Sequence, residues 1–529
     1  MKRTAQQALL YAAYMCTCLE DRGWSFAISL CMQLLGGMQL VSIEQLAEGL
    51  AQMGFSGTVG RAVDLRSERK WGMILCLLGN NFSIIASCEL FAICLSIERT
   101  AWVYTVCLLL GMLFCSSYRV FVMAEKNLSS RDWVLVLVND KEEGRALAKT
   151  NAFLTSLDQL ANVLSPLLLG ALLSFVTLRT ACIVLAVCSV ISLIIKGALL
   201  AALYGSNERL RVKGDADVDK PAVPVSKLEE EEPSIGKRIA TLFSVLVTYY
   251  RQTVFPAAFG MALLFMTVLG FDGLAIGYGE SVGLPENVLG FFRSFGSAAG
   301  VAGAIMYAVF ERRYGVLKTG MVGMITQQLC LVLAVLSIWL PGSPWNPSSY
   351  FDTLTWSSWW QSFIGSFAPS PDSPTASPPP PATIDWSTWT TSEGASVASI
   401  FAFLIGISTA RFGLWMADLA ITHIMQIATP ESQRNTVFGV HNAICQAFSV
   451  MKDLLVIALP SPSTFGLCIL ISFGFVCTGF AAYIYYVIKT ANAAEKQKLI
   501  SRKQTSNSDK EQGIINNGHN NTALSSSEE

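Results

Sequence analysis

The chain has 529 residues, of which 52% are hydrophobic and 14% charged, with a formal net charge of −1 at pH 7. A soluble protein of this size carries about 25% charged residues, and a near-neutral chain has no global basic field for nucleic acid. Apolar stretches of about 20 residues, long enough to cross a bilayer, recur along the whole chain, while a phosphate-cradling glycine loop, a nucleophile motif and zinc-ligand spacing are missing, so the sequence reads as a polytopic membrane protein and not as an enzyme.

Twelve membrane spans are expected, at 5–33, 37–60, 72–96, 101–123, 146–175, 178–204, 240–272, 285–310, 317–340, 396–426, 434–457 and 464–489. The N-terminus starts basic and turns apolar without a small-residue cleavage site, so it reads as an uncleaved first helix. A charged segment, 205–238, separates the first six spans (1–204) from the second six (239–490), and residues 491–529 read as a disordered tail. The loop 342–395 is rich in Pro, Ser and Trp and holds no Lys or Arg, whereas Lys2, Arg3, Arg66, Arg69, Lys126, Arg312, Arg434 and the tail lysines fall on the opposite side. By the positive-inside rule both termini and 205–238 are cytosolic and 342–395 is outside. The expected fold is all-α, with two six-helix lobes rocking about a central site. All 14 Cys lie in apolar segments, which argues against a disulfide framework.

The first span carries Glu20, Asp21 and Arg22 in succession near its middle. Ionisable groups inside a span mark a pathway or a pair, and Cys18, Asp21 and Ser25 share one helix face. The third span carries Asn80 and Asn81, whose amide oxygens, with the Asp21 carboxylate, suit a hard or borderline cation. Interhelical hydrogen bonding is the competing use of the same groups. At the end of the second span, Gly60-x-x-x-Asp64 followed by Arg66, Arg69 and Lys70 resembles the gating motif of the major facilitator superfamily, where Asp64 would pair with a base on a neighbouring span. The fifth span has a polar stripe of Asn151, Asp158, Gln159 and Asn162 that would line a cavity or contact the gate.

In the seventh span Asp272 lies between Gly270 and Gly273, where an unwound helix would make a site. A helix ending there at the outer surface is the alternative. Lys196 sits about two turns from the end of the sixth span, within snorkelling reach of the surface. Lys452 lies deeper in the eleventh span, next to Asp453. His423 is one of three histidines and reads as structural.

"RDWVLVLVND" at 131–140, "LDQLANVLSP" at 157–166, "YYRQTVF" at 249–255, "MTVLGFD" at 266–272, "ARFGLWMADL" at 410–419 and "ALPSPSTFGL" at 458–467 resemble, in order, sequence blocks of the ferroportin family of iron exporters. The resemblance implies the facilitator-superfamily fold, efflux of ferrous iron or a similar divalent metal at the plasma membrane, and metal sites in both lobes. It assigns metal ligands to Asp21, Asn80, Asn81 and Asp272. Asp64, Asp132, Asp158, Gln159, Asn162, Lys196, Arg411, Arg434, Asn442 and Lys452 are expected along the cavity or gates. Metal is implied as substrate and no cofactor is expected. Lipid is the expected partner, with no nucleic acid, and the chain is expected to be a monomer.

The departures from the family pattern bear on function. Ser25 stands where the family has His in the first span. Gly273 replaces the Cys that vertebrate ferroportins use for iron and for the hormone hepcidin, so hepcidin is not expected to bind. Lys452 aligns with the family's His of the eleventh span, and Lys196 with an acidic residue of the sixth. A protonated lysine is a tethered monocation that would satisfy Asp21 or Asp272 and exclude a divalent ion. Three readings stay open: a divalent-metal exporter, a transporter of the same fold with another substrate, and a transport-dead binding or regulatory membrane protein.

Overall fold

A computed structural model describes residues 3–64, 68–98, 102–138, 143–211, 246–367, 383–391, 394–430 and 434–524. The expected linker 205–238 lies mostly outside them. The first helix, α1, runs Arg3–Asp64 and is interrupted at Gly36 and Gly37, where Gly37 takes φ 68°. That positive φ is open to glycine and costly for other residues. The apolar part, Ala5–Phe55, has 51 residues. At 1.5 Å per residue it is about 76 Å long, more than twice a hydrocarbon core. It therefore makes two crossings that meet at the glycine pair, as the sequence pattern expects.

The first lobe continues through α2 (Arg69–Cys94), α3 (Trp102–Asn127), a π turn (Leu128–Trp133), α4 (Val134–Val138), α5 (Glu143–Leu173) and α6 (Leu178–Ser206). The Thr177 hydroxyl caps α6 by accepting from the Thr180 amide. α1 packs on α3, α5 and α6, and α2 on α3 and α6. The second lobe comprises α7 (Phe255–Leu263), α8 (Gly273–Ser281), α9 (Glu286–Tyr314), α10 (Val316–Leu336), α13 (Ala398–Ala428), α14 (Arg434–Ala458) and α15 (Pro462–Leu524), with two short helices, α11 (Pro347–Thr353) and α12 (Trp356–Gly365), between α10 and α13. α13 is its spine, packed on α10 and α9. Ten described helices are long and apolar enough to span a membrane. With α1 crossing twice and α7–α8 forming one broken span, the two lobes make the twelve crossings of the major facilitator fold.

The structure moves the seventh span. The expected 240–272 becomes two half-helices, α7 and α8, with irregular backbone between Leu263 and Gly273. The Gly270–Asp272–Gly273 end of the break is the unwinding the sequence suggests, whereas the residues just after Leu263 are mostly apolar, so hydropathy carries no sign of where it begins. Side chains replace the lost helical bonds: Ser472 Oγ accepts from the Val268 amide at 2.9 Å and Thr267 Oγ1 from Leu269 at 3.0 Å. Non-helical backbone at membrane depth is tolerated where protein surrounds it.

Two further expectations change. The tail expected to be disordered continues α15 to Leu524. Its Ala, Glu, Lys and Gln are good helix formers that extend an existing helix and so avoid a new nucleation step. The 342–395 segment is not a plain loop. It holds α11, α12 and an antiparallel pair, Ile384–Asp385 with Thr390–Thr391. α12 stacks Trp356, Trp359, Trp360 and Phe363. Its C-terminal end is tied to the first lobe, since Ser366 Oγ donates to Gln39 Oε1 at 3.1 Å and Thr105 Oγ1 to the Phe367 carbonyl at 3.4 Å. All 14 Cys are free.

The lobes meet at the end of the bundle that carries 342–395. There α1 packs on α8 and α14, and α5 crosses α9. The α5–α9 crossing is close enough that a Cβ on Gly290 would sit 2.5 Å from the Pro166 carbonyl oxygen, and one on Gly170 3.0 Å from that of Glu286.

Candidate functional site

Three consecutive charges on α1 point to three different helices, because successive residues are 100° apart around an α-helix. Glu20 faces α6, Asp21 faces α3 and Arg22 faces α5. Lys196 Nζ donates to Glu20 Oε2 at 2.7 Å, and Ser189 Oγ to Glu20 Oε1 at 2.5 Å. Lys126 Nζ donates to Asp21 Oδ2 at 2.7 Å and Arg119 Nη1 to Asp21 Oδ1 at 3.2 Å, while the Tyr118 hydroxyl donates to the same Oδ1. Arg22 Nη2 donates to Asp158 Oδ2 at 2.8 Å, and Lys126 closes the ring by donating to Asp158 Oδ1 at 2.9 Å.

Asp21, Lys126, Asp158 and Arg22 thus alternate in sign around a square. It borders a cavity of about 290 Å³ lined by these four with Arg119 and Ser130, among others. Tyr14, Gln52, Asn127 and Thr155 also line it, so it lies toward the end of the lobe opposite the Gly36–Gly37 break. Asp21 is 3% exposed and Asp158 18%. The acid deepest in the cavity is thus the one with the most cationic partners.

A second network lies behind the first. Glu125 accepts from Asn80 Nδ2 at 2.7 Å and from Thr17 Oγ1 at 2.6 Å, and Lys196 Nζ stands 3.5 Å from its Oε1. Asn81 Oδ1 accepts from Ser189 Oγ at 3.2 Å, and its Nδ2 donates to the Leu77 carbonyl. The expected grouping of Asp21 with Asn80 and Asn81 is therefore not the one formed. The amides join Glu20, Glu125 and Lys196, and Asp21 joins the cavity square. Asn80 Oδ1 is buried with no partner among the described residues. Lys196 does not snorkel: it is 0% exposed and lies between two carboxylates. A cation this deep in a bilayer needs such partners.

In the second lobe Asp272 serves two structures at once. Its Oδ1 accepts from the Leu274 and Ala275 amides and caps α8, and Lys452 Nζ donates to its Oδ2 at 2.6 Å. Lys452 also approaches Asp453 Oδ1 at 3.3 Å. A Cβ on the adjacent Gly273 would run into Gln45 and Ser29 of α1. Of the other expected residues, Gln159 and Asn162 are half-buried on α5, Gln159 with an unpartnered buried Oε1, and Asn442 is exposed on α14 away from the cavity. Arg411 lies on α13 with its Nε buried and unpartnered. The side chains of Asp64, Asp132 and Arg434 lie outside the described set. His423 Nδ1 pairs with the Tyr307 hydroxyl at 2.8 Å.

Sequence reasoning missed Glu20, Arg119 and Glu125 as site groups and took Lys126 only as a marker of the cytosolic side. The expected fourth span ends at 123 and leaves Glu125 and Lys126 outside it, whereas α3 runs to Asn127. Arg119 and Glu125, six residues apart in an apolar segment, were the available signal. Among the described residues no group of three or more His, Cys, Asp or Glu is arranged to hold a metal ion. Asp21, Asp158 and Asp272 instead each hold a lysine ammonium within 3 Å.

The family model described as Ferroportin1 matches residues 4–476. The chain is 27% identical to ferroportin of Homo sapiens over 92% of each chain, and 28% identical to solute carrier family 40 member 1 of Danio rerio over 91% of each. Among solved structures, a bacterial homologue of the iron transporter ferroportin in an inward-facing state superposes with a TM-score of 0.66 at 16% identity, covering 91% of this chain and 98% of that one. An outward-facing state of a bacterial homologue gives 0.55, again at 16% identity, covering 91% of this chain and 99% of that one. With the twelve-crossing fold and the family model spanning nearly the whole chain, the protein belongs to the ferroportin family of integral membrane transporters.

Proposed function

We propose that this chain moves a divalent metal, ferrous iron first among the candidates, by alternating access, and that the metal enters by displacing an internal ammonium from Asp21. One observation carries the reading: a deeply buried carboxylate, Asp21, borders the cavity with Asp158 across Lys126. Two carboxylates bridged by one flexible lysine form a site whose occupant is exchangeable. When Lys126 swings out, each acid gives up one cationic partner and opens an oxygen to an incoming cation. Arg22 and Arg119 are then the remaining positive neighbours, and they set how weakly the metal is held.

The names of the relatives support iron as cargo, and export is the direction the resemblance implies. The charge asymmetry of the loops supports cytosolic termini, and the family resemblance supports a plasma-membrane location. Gly273 supports insensitivity to hepcidin. The reading is tested by radioactive iron flux in sealed proteoliposomes, with manganese, cobalt and zinc as competitors. Saturable, metal-competed flux is expected. Flux equal to that of protein-free liposomes for all four metals would overturn it.

A further inference from the structure

Among the described residues, two arginines in the membrane interior have no carboxylate partner. Arg293 on α9 is 9% exposed. Its Nη2 donates to Ser25 Oγ at 3.3 Å, its guanidinium lies 5.6 Å from the centre of the Phe26 ring, and its Nη1 is buried without an acceptor. Arg411 on α13 lays its stem along Gly296, where a Cβ would sit 3.1 Å from its Cδ, and its Nε is buried without an acceptor. By contrast Arg22, Arg119, Lys126, Lys196 and Lys452 all have a carboxylate within 4 Å.

The two arginines share one electrostatic neighbourhood. Arg22 and Asp272 act electrostatically on both arginines, and Arg411 and Asp21 also act on Arg293. Both acids in that set are already matched, Asp21 by Lys126 and Arg119 and Asp272 by Lys452. Arg293 and Arg411 remain unmatched, and Arg22, itself held by Asp158 at 2.8 Å, adds a third guanidinium that repels them. Arginine does not relieve this by losing its proton. A buried cation is tolerated when it is paired, and among the described residues no carboxylate pairs with either arginine.

We propose that Arg293 and Arg411, with Arg22, hold a small oxyanion of the carboxylate or phosphate class between the two lobes. The planar fork of a guanidinium matches two oxygens of such an anion. Arg22 and Ser25 belong to the first lobe, and Arg293 and Arg411 to the second, so the anion ties binding to the approach of the lobes. Ser25 stands where the family has His, and its hydroxyl leaves Arg293 room to reach the first lobe. The site shares Arg22 with the cavity square, whereas Arg293 and Arg411 do not line that cavity, so the test is read on those two.

The test uses the purified full chain in nanodiscs at constant ionic strength with a metal chelator present. Inorganic phosphate, citrate and chloride are titrated separately, and thermal unfolding is followed by tryptophan fluorescence. Saturable stabilisation by phosphate or citrate but not chloride is expected. The apparent affinity should fall about tenfold or more in Arg293→Gln and in Arg411→Gln, as for loss of a charge-assisted hydrogen bond. A response to anionic-lipid nanodiscs that is lost in the same variants, with none to soluble phosphate, assigns the same chemistry to a lipid headgroup. Should Arg293→Gln fail to give a monodisperse protein, Arg411→Gln carries the comparison. Wild type and a folded variant with equal affinity, or a wild type with no saturable response to any oxyanion or anionic lipid, would overturn the proposal.

Discussion

Lys452 Nζ lies 2.6 Å from Asp272 Oδ2, and the other carboxylate oxygen of Asp272 caps the first turn of α8. The acid that the resemblance assigns to the second-lobe metal site is therefore used on both sides, by an ammonium and by a helix N-terminus. A divalent ion reaching it must displace Lys452, which is 8% exposed and also has Asp453 at 3.3 Å. Lys452→His should raise metal affinity by about tenfold or more, since it removes a fixed charge and supplies an imidazole nitrogen. Calorimetric titration of manganese into wild type and variant at pH 7, side by side, is the check. Equal affinities would mean that the ammonium does not govern access to Asp272.

Asp21 is the acid on which the cavity square depends. Asp21→Asn keeps the shape and the Tyr118 contact but removes the charge that faces Lys126 and Arg119. Metal-dependent flux should drop to background while surface expression holds. Lys126→Met should act the other way on binding, raising metal affinity because the competing ammonium is gone. If both variants transported like wild type, the site would have to be sought elsewhere.

Lys196 has a different role from the exchangeable lysines. It is 0% exposed and lies between Glu20 and Glu125, at 2.7 and 3.5 Å. Lys196→Met leaves two buried carboxylates facing each other with only neutral partners, Ser189 on Glu20 and Asn80 and Thr17 on Glu125. Breaking a buried pair in this way costs about 3–5 kcal/mol, so a large fall in thermal stability is expected. Adding Glu20→Gln should recover a substantial part of it by removing the repulsion. The detergent-solubilised melting temperatures of the two variants decide the matter. No recovery in the double variant would show that the loss comes from packing and not from charge.

Much of the architecture was legible because membrane spans are written in hydropathy, which depends on local composition alone. The division of the first helix into spans 5–33 and 37–60 and the charges at Glu20, Asp21 and Arg22 were visible in the same local composition, although the glycine pair that makes the break was not singled out. What each charge meets was not visible, since a one-residue step rotates a side chain by 100° and the partner depends on which helix packs there. Asp21 and Asn80 looked like one ligand set by residue type, yet they face different networks. The glycines around Asp272 pointed to an unwound helix there, but the start of the break, just after Leu263, stayed hidden because the residues that follow are mostly apolar in either backbone conformation. Arg293 raised no signal at all, although a lone arginine in a glycine- and alanine-rich span is an anomaly by the same rule that singled out Asp21.

Gly273 packs beneath α1, where a Cβ would meet Gln45 and Ser29. Restoring the family's cysteine alone therefore buries the thiol instead of presenting it. Gly273→Cys should give neither hepcidin binding nor fast alkylation by a membrane-impermeant maleimide. Gln45→Ala combined with Gly273→Cys should make the thiol more reactive, because the colliding amide is removed. Labelled hepcidin and maleimide applied to cells expressing each form distinguish these outcomes. Tight thiol-dependent hepcidin binding by the unsubstituted chain would contradict the alignment of this span.

The crossing of α5 and α9 holds one end of the bundle shut, and it does so through backbone. A Cβ on Gly290 would lie 2.5 Å from the Pro166 carbonyl oxygen and 3.3 Å from Gly170 Cα. Neither is the end of a flexible side chain, so neither moves aside without separating the helices. Gly290→Val should therefore disfavour this closed arrangement and shift the population toward one in which the lobes part at that end. Two readouts follow. Amide exchange should accelerate in 166–176 and 284–292, which face each other here, and net flux should slow because one half of the cycle is disfavoured. Gly197→Val is the matched control: it lies on α6 with nothing within 4 Å of its Cβ position, so it changes a helical glycine in the same way without touching a crossing. Exchange at 166–176 that is the same in Gly290→Val as in Gly197→Val would mean that the crossing does not set the balance between the two arrangements.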